Sequence, residues 1–431
     1  MAAQYSIQTK FVESAFTLRN QDSHDYHCSL LEGPFAEADS VTYGVNSQSI
    51  LNKIPNFHVA NGQMPQDLMH LLFESVVPFE IKLMLKVFIY EKRYFDLDLF
   101  NSRLSSFVYG RNESRTKPPK DFVRRKIAGD SSLGLSASQA WTLAVILPLI
   151  IGHKIPHEDI HWECFLLLVQ IIQLCTAKVS SLSSTLFLAS LVDQHHQMFV
   201  DYYPGVNVLP KMHYMVHLSD QILRLGPLVT SWCMRMEAKN SYFKQIARRT
   251  NNFKNISFSV AARHQKLLCG YLQSRHFFAF DSVETGPCKE SVSFAVHPKR
   301  NKLLYLYPDM HPDTTITHSN WIKTYGEEYH HGDYLITAKQ TNDLPVFSKI
   351  VDLMMVVDCA VAEVERFLTV GLDNHLMSYQ IKSTHHLCCI PLSTLKEKHP
   401  LTVHTFDDGQ LYITLRSNIE PKLFGSYNIT W

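Results

Sequence analysis

The sequence lacks paired cysteine motifs and long apolar runs. Its nine cysteines are odd in number and include no Cys-x-x-Cys, which argues against a disulfide framework and a zinc ribbon and is typical of a reducing compartment. The longest apolar run, residues 140–151, covers about 12 residues where a membrane-spanning helix needs about 20. We therefore predict a buried helix there and no membrane partner.

An excess of charge is absent as well. Lys and Arg number 41 and Asp and Glu 40, so the net charge of +1 predicts neither nucleic-acid nor membrane binding by itself. The first residues lack a basic segment followed by an apolar one, so no secretory signal is predicted. The length of 431 residues and the hydrophobic content of 45% indicate a soluble intracellular protein of two or three globular domains.

The hydrophobic pattern changes along the chain. Up to about residue 107, short β-type runs at 40–44 and 57–59 precede a helical stretch that starts near Asp67, and Pro78 is expected to kink or split this helix. A basic link at 109–129 is predicted to be a solvated loop. Residues 136–274 have helical periodicity, with helix starts expected at Ser136 and Pro156. Beyond about residue 277, apolar residues alternate with polar ones, which predicts a small β-barrel or sandwich.

The histidines form no metal-binding tract. The string His157-Glu-Asp-Ile-His161 matches a zinc motif, but no third ligand follows, and chance explains it in a chain with 23 histidines. The pairs at 195–196, 330–331 and 385–386 are predicted at surface or cap positions, because adjacent side chains diverge on both helices and strands. His24, His27 and Cys28 are more suggestive of a metal site, but they lack a fourth ligand nearby.

A basic stretch stands out in this near-neutral chain. Tyr242, Phe243 and Phe253 lie among its cations, and such a mixture is typical of a groove that contacts phosphates and stacks bases. The alternative is an amphipathic helix whose basic face is only solvated, and the sequence leaves both open. The stretch contains one acid, Glu237, and eight cations. These are Arg235, Lys239, Lys244, Arg248, Arg249, Lys254, Arg263 and Lys266.

Two acids have more than one interpretation. Glu237, alone among cations, suits either a structural ion pair or a carboxylate that binds Mg²⁺ beside phosphate-binding side chains. Asp67 begins an apolar helix, where the helix dipole favours an acid whatever its function. Their spacing in the sequence does not show whether Asp67 and Glu237 belong to one site.

Several long blocks, in order, resemble the CACTA-like transposases found in animal genomes. The blocks are MPQDLMHLLFESVVPFEIKLML at 64–85, PKMHYMVH at 210–217, GPL at 226–228, WCMRMEAKNSYFK at 232–244 and NFKNI at 252–256. The resemblance covers roughly residues 16–271 and continues more weakly in the β-type region.

This resemblance implies an RNase H-like core in which three carboxylates hold two divalent ions, Mg²⁺ or Mn²⁺, for phosphoryl transfer. Asp67 would be the second carboxylate, Glu237 the third, and His70 a neighbouring polar group. Asp67 and Glu237 should then lie within roughly 10 Å of each other. No zinc is expected.

The expected fold is therefore α+β: a partial RNase H-like core interrupted by a mainly helical insertion, then the small β module. The core would occupy residues 1–107 and 210–275, the basic loop and insertion 108–209, and the β module 276–431. The resemblance also implies a nuclear location and DNA as partner through the basic stretch, and leaves a homo-oligomer open. The alternative function is a host protein-interaction module carried by the β domain on a remnant scaffold.

The sequence departs from the family in two places. The segment before Asp67 resembles family text that follows the first aspartate, so that aspartate is expected to be missing and the chain to be truncated at its N-terminus. Ser75 stands where the family usually has glycine after the glutamate.

Because the first of the three carboxylates is expected to be missing, we predict that the chain neither cuts nor joins DNA in Mg²⁺. Two-metal catalysis needs ligands for both ions. Incubation of the purified chain with terminal-repeat DNA measures this. Nicking or joining that disappears in Glu237→Gln would contradict the prediction.

Overall fold

The computed structural model describes residues 11–251, 253–273, 282–406 and 408–419. The predicted domain boundary at 275/276 lies outside these residues. So does Asn252, the first residue of the block at 252–256. The chain is α+β, with about 47% helix and 18% strand. Within the described ranges, no helix is both long enough and apolar enough to cross a membrane.

The chain forms two compact units, each built from separate stretches of sequence. The helical unit contains residues up to Ser106, Thr116–Met234 and Arg416–Asn418. The β unit contains Phe107–Arg115, Arg235–Leu415 and residues from Ile419 onward.

The helical unit contains one long helix of mixed type and a set of regular helices. The long helix runs through π-helical Met69–Val76, α-helical Val77–Lys86 (α3) and π-helical Val87–Glu91. The other helices are α1 (Gln21–Leu30), α2 (Ala36–Tyr43), α4 (Leu97–Ser106), α5 (Arg124–Ala128), α6 (Ala137–Ile151), α7 (Ile160–Cys175), α8 (Leu182–Tyr202), α9 (Pro210–Met215) and α10 (Leu218–Leu225).

Local sequence signals explain several helix ends. The long helix changes from π- to α-type at Val77, next to Pro78, and continues through this proline to Glu91, so the predicted split does not occur. Ser136 caps α6 through a capping box with Gln139, as predicted. The start predicted at Pro156 is wrong by four residues, because Asp159 accepts the amide hydrogens of His161 and Trp162 and makes Ile160 the first residue of α7. The run at 140–151 is buried within α6, as predicted.

The β-type runs predicted before Asp67 are wrong. Residues 40–43 complete α2, which ends at Gly44 with a left-handed φ of 63°. The run at 57–59 lies in a turn, where the His58 amide donates to the Gln63 side chain at 2.9 Å. Among the described residues up to Met234 there is no strand. The RNase H-like core is therefore not confirmed.

The pair His195–His196 is fully buried in α8, so its predicted surface position is wrong. The two rings point to different neighbours: His195 Nε2 lies 2.8 Å from Glu80 Oε2, and His196 Nε2 lies 2.7 Å from the Met212 carbonyl oxygen. Cys164 Sγ also approaches Glu80, at 3.8 Å from Oε1. Burial lowers the pKa of His196 to about 3. Helices pack on both sides of α8, so two diverging side chains are both enclosed.

The β unit begins with two helices, α11 (Met234–Thr250), whose first residue still belongs to the helical unit, and α12 (Ile256–Gln273). A short helix, α13 (Arg300–Leu306), follows β2. The strands are β1 (Glu284–Thr285), β2 (Cys288–Ser293), β3 (Thr315–Ser319), β4 (Trp321–Thr324), β5 (Glu327–His330), β6 (Tyr334–Lys339), β7 (Pro345–Val356), β8 (Cys359–Asp373), β9 (Ser378–Pro391), β10 (Val403–Thr405) and β11 (Leu411–Ile413).

These strands form two antiparallel sheets. The small sheet has the order β1-β4-β5, and the large one has the order β10-β11-β9-β8-β7-β3-β2, with β6 also paired to β7. The alternating pattern predicted most of these strands, but the run KLLYLYP at 302–308, also predicted as a strand, lies largely in helix α13. The described sheets do not close into a barrel. Ile350, Leu353 and Val364 of the long strands β7 and β8 lie in the core of this unit.

Short segments from elsewhere in the sequence complete each unit. In the helical unit, the Arg416 guanidinium lies 4.3 Å from the centre of the Trp141 ring, and the Asn418 amide donates to the Gln173 carbonyl at 2.8 Å. In the β unit, Arg111 pairs with Glu328 at 3.1 Å and with Asp333 at 3.0 Å.

The buried Glu80–His195 pair predicts a large effect of removing one partner. His195→Ala should lower the free energy of unfolding by about 3–5 kcal/mol, because it leaves Glu80 buried without its main partner. Urea denaturation followed by tryptophan fluorescence measures this. Exposed His386→Ala, the matched control, should stay within about 0.5 kcal/mol of the wild type.

The double variant Glu80→Met/His195→Leu should recover most of that loss, since apolar residues of similar volume replace buried ion pairs well. A double variant as unstable as His195→Ala would show that packing, not the pair, determines the result.

Candidate functional site

Asp67 joins two distant parts of the helical unit. Its Oδ1 accepts a hydrogen bond from the Cys233 amide at 2.7 Å, across 166 residues of sequence. Its Oδ2 accepts the His70 amide hydrogen at 3.1 Å and also pairs with the His70 ring. Burial alone would raise the pKa of Asp67, but the hydrogen bonds from Cys233 and His70 outweigh it and lower the pKa.

Further contacts position these groups. Lys211 Nζ, on α9, donates to the His70 carbonyl oxygen at 2.8 Å. On the other side, the ring of Trp232, next to Cys233, lies 5.5 Å from Trp141 and 6.5 Å from Phe73. This aromatic cluster holds the chain so that the Cys233 amide faces the carboxylate.

Asp67, His70 and Cys233 offer ligand atoms that all lie within 4.8 Å of one another. Glu74 adds a carboxylate 3.6 Å from His70 Nε2. Oxygen, nitrogen and sulfur donors suit zinc-like ions, whereas Mg²⁺ and Mn²⁺ prefer oxygen. Since both oxygens of Asp67 already accept hydrogen bonds, this group does not by itself fit the expected Mg²⁺, and we derive no step through that ion.

Glu237 lies exposed in the first turn of α11, in the β unit. It belongs to none of the groups of three or more potential metal ligands found among the described residues. Its closeness to Asp67 therefore stays a prediction.

The basic stretch forms α11 and α12, and neither helix has a buried residue among those described. The helices contact each other through aromatic rings: the His264 ring centre lies 5.3 Å from Phe243 and 6.0 Å from Tyr242. The Lys239 ammonium lies 4.6 Å from the centre of the Tyr242 ring. All eight predicted cations are exposed.

Within the described part of the chain, seven of these cations are in no ion pair. Among the described residues, the ion pairs within 4.0 Å involve none of Arg235, Lys239, Lys244, Arg248, Arg249, Arg263 and Lys266. Large apolar side chains are exposed beside them, with Phe253 at 68%, Phe258 at 69% and Met236 at 63%. Phe253 was a candidate from the sequence, whereas Phe258 and Met236 were not, because no sequence pattern shows that the fold leaves them exposed.

The structure also brings together groups that the sequence did not connect. His24, Asp25 and His58 form one, and Glu80, Cys164 and His195 form another. His24 gave a signal as part of a His-His-Cys string, but Asp25 and His58 are joined to it only by the fold. The string at 157–161 straddles the start of α7, where Asp159 is the cap and pairs with Lys92.

Comparison with known proteins gives no match to a family model, a curated protein or a solved structure.

The lowered pKa of Asp67 predicts an acid-dependent loss of stability. Its ionised form stabilises the fold above the usual pKa of about 3.9, and this contribution disappears as the pH falls through the lower folded-state value. Asp67→Asn should cost about 1–2 kcal/mol at pH 7 and little near pH 2. Urea denaturation across this pH range measures it.

Asp358→Asn, an exposed carboxylate in the turn between β7 and β8, is the matched control and should have little effect at any pH. An equal cost for Asp67→Asn at pH 7 and pH 2 would contradict an electrostatic role.

Proposed function

We propose that this chain is a transposon-derived, transposase-like protein that binds DNA through α11 and α12. The observation that carries the proposal is a set of eight exposed cations: seven lie on two helices that have no buried residue, and Lys254 lies between those helices. The total charge of +1 is too small to attract DNA, so electrostatic attraction of DNA depends on this local positive surface.

The chemistry of the surface fits a nucleic-acid backbone. Each Lys or Arg that contacts a phosphate releases condensed counterions, which supplies most of the affinity for DNA without sequence preference. Cations held in ion pairs would have to lose those partners first, whereas seven of these eight have no ion pair among the described residues. Exposed Phe253 and Phe258 are placed to stack on unpaired bases.

The family part of the proposal is supported by how the resembling blocks meet. Asp67 and His70 of the first block contact Lys211 of the second and Cys233 of the fourth. Blocks that are distant in sequence thus share one site within the helical unit. The RNase H-like assignment and the nuclear location belong to this proposal.

A second candidate function is protein interaction through the β unit. Leu368, Val370 and Leu372 of β8 are exposed by 42%, 56% and 42%. Exposed apolar side chains of this kind suit a partner protein, whereas they offer nothing to a phosphate backbone.

DNA binding predicts a steep dependence on salt. If about four cations contact phosphates, the logarithm of affinity for duplex DNA should fall against the logarithm of salt concentration with a slope near −3.6. Arg248→Ala/Arg249→Ala should flatten the slope by about two units if both contact phosphates. Titration of labelled duplex at several salt concentrations measures both values.

Lys86→Ala/Lys382→Ala removes two exposed cations from other elements, α3 and β9, and should leave the slope unchanged. Undetectable affinity at low salt, or equal slopes for the two double variants, would contradict the proposal. Leu368→Ser/Val370→Ser should not alter DNA affinity, so a loss there would instead implicate strand β8.

A further inference from the structure

The first part of the helical unit has almost no apolar core. Between residues 12 and 67, the buried side chains are His24, Cys28, Val45 and His58, at 8%, 9%, 5% and 4% exposure. Large apolar side chains of the same segment are exposed instead, among them Phe35 at 71%, Val41 at 82% and Ile50 at 70%. Three of the four buried side chains are thus of the types that ligate metals.

The two buried histidines converge on one carboxylate. Asp25 Oδ1 lies 3.0 Å from His58 Nε2 and 3.6 Å from His24 Nδ1. Cys28, one turn beyond His24 on α1, has its sulfur 3.7 Å from the same Nδ1. Ligand atoms of His24, Asp25 and His58 all lie within 4.8 Å of one another.

The spacing and chemistry suit zinc. Ligands at about 2.0–2.3 Å from a tetrahedral ion lie roughly 3.3–3.7 Å apart, and sulfur, imidazole nitrogen and carboxylate oxygen are all zinc ligands. A segment of this length that buries so little apolar surface needs another source of stability, and a structural metal is one that small folds use.

We propose that His24, Cys28, His58 and Asp25 bind one zinc ion that holds residues 12–67 in their fold. Binding releases one proton, from the Cys28 thiol, and moves the single ring proton of His58 from Nε2 to Nδ1. In the metal-free chain that ring proton lies on Nε2 and is donated to Asp25, because His58 Nδ1 accepts the Ala60 amide hydrogen at 3.1 Å. The Ala60 amide must turn away on binding, since Nδ1 carries the ring proton once Nε2 binds the ion.

This site is independent of the DNA-binding surface and of Asp67. The Glu80, Cys164 and His195 group offers a similar donor set, but all three side chains are fully buried in the helical core. The Asp67, His70 and Cys233 group is the competing location for an ion, and it also contains one cysteine. An experiment that identifies the bound cysteine therefore separates the two sites.

The test uses the full chain, freed of metal by chelation and titrated with Zn²⁺ against a chromophoric chelator. We expect one equivalent of tight zinc per chain. Cys28→Ser and His58→Gln should each weaken zinc affinity about 10-fold to 100-fold or more. His27→Gln, on the same helix with its ring stacked on Tyr43, and Cys269→Ser, an exposed thiol on α12, are matched controls and should bind zinc as the wild type does.

Replacement of zinc by Co²⁺ provides a second measurement. Tetrahedral Co²⁺ with a thiolate ligand absorbs in the near ultraviolet, and we expect this band in the wild type and in Cys233→Ser but not in Cys28→Ser. A band that persists in Cys28→Ser and disappears in Cys233→Ser would place the ion at Asp67 and overturn the proposal. A wild-type chain without stoichiometric zinc or without the thiolate band would overturn it as well, whether or not the variants fold.

Discussion

The carboxylate of Asp67 is the point on which the candidate site depends. It accepts the Cys233 amide at 2.7 Å and thereby fixes the chain one residue before α11 begins. A charged acceptor makes this hydrogen bond stronger than a neutral one. The bond therefore holds together two parts of the helical unit that lie 166 residues apart in the sequence.

The core of the helical unit is held by a polar network in an apolar environment. Glu80, His195 and His196 are fully buried, and each has a defined partner. Removing these groups from water is costly, and their attraction offsets that cost only when the geometry is satisfied. Such a network favours one arrangement of the helices, since a slipped helix would leave a charge unpaired.

Sequence patterns predicted the elements better than their contacts. Apolar spacing predicted the helix that starts near Asp67, and alternation predicted most strands of the β unit. The same reasoning placed His195 and His196 at the surface, because nothing in the sequence shows that helices cover both sides of α8. Residues 40–43 carry strand-like side chains, yet the helix ended by Gly44 includes them, since local propensity is a weak constraint.

For the candidate site, too, the sequence predicted residues that are neighbours along the chain but not contacts that only the fold creates. The eight cations could be listed from the sequence, because they follow one another on adjacent helices. The partners of Asp67 could not, because Cys233 lies 166 residues away and contributes a backbone amide, which no residue type reveals. The closeness of Asp67 to Glu237 remains a prediction, as does the family that the blocks suggest.

The exchange of short segments between the two units limits how this gene can change. Arg416 and Asn418 complete the helical unit after the last strand, while Phe107–Arg115 belongs to the β unit although it lies between two stretches of the helical one. A premature stop codon just after β11 would thus remove Arg416, the cation that stacks on Trp141 in the helical unit. Neither unit can be transferred to another gene by a single recombination event and remain complete, so the two must be inherited, and lost, together.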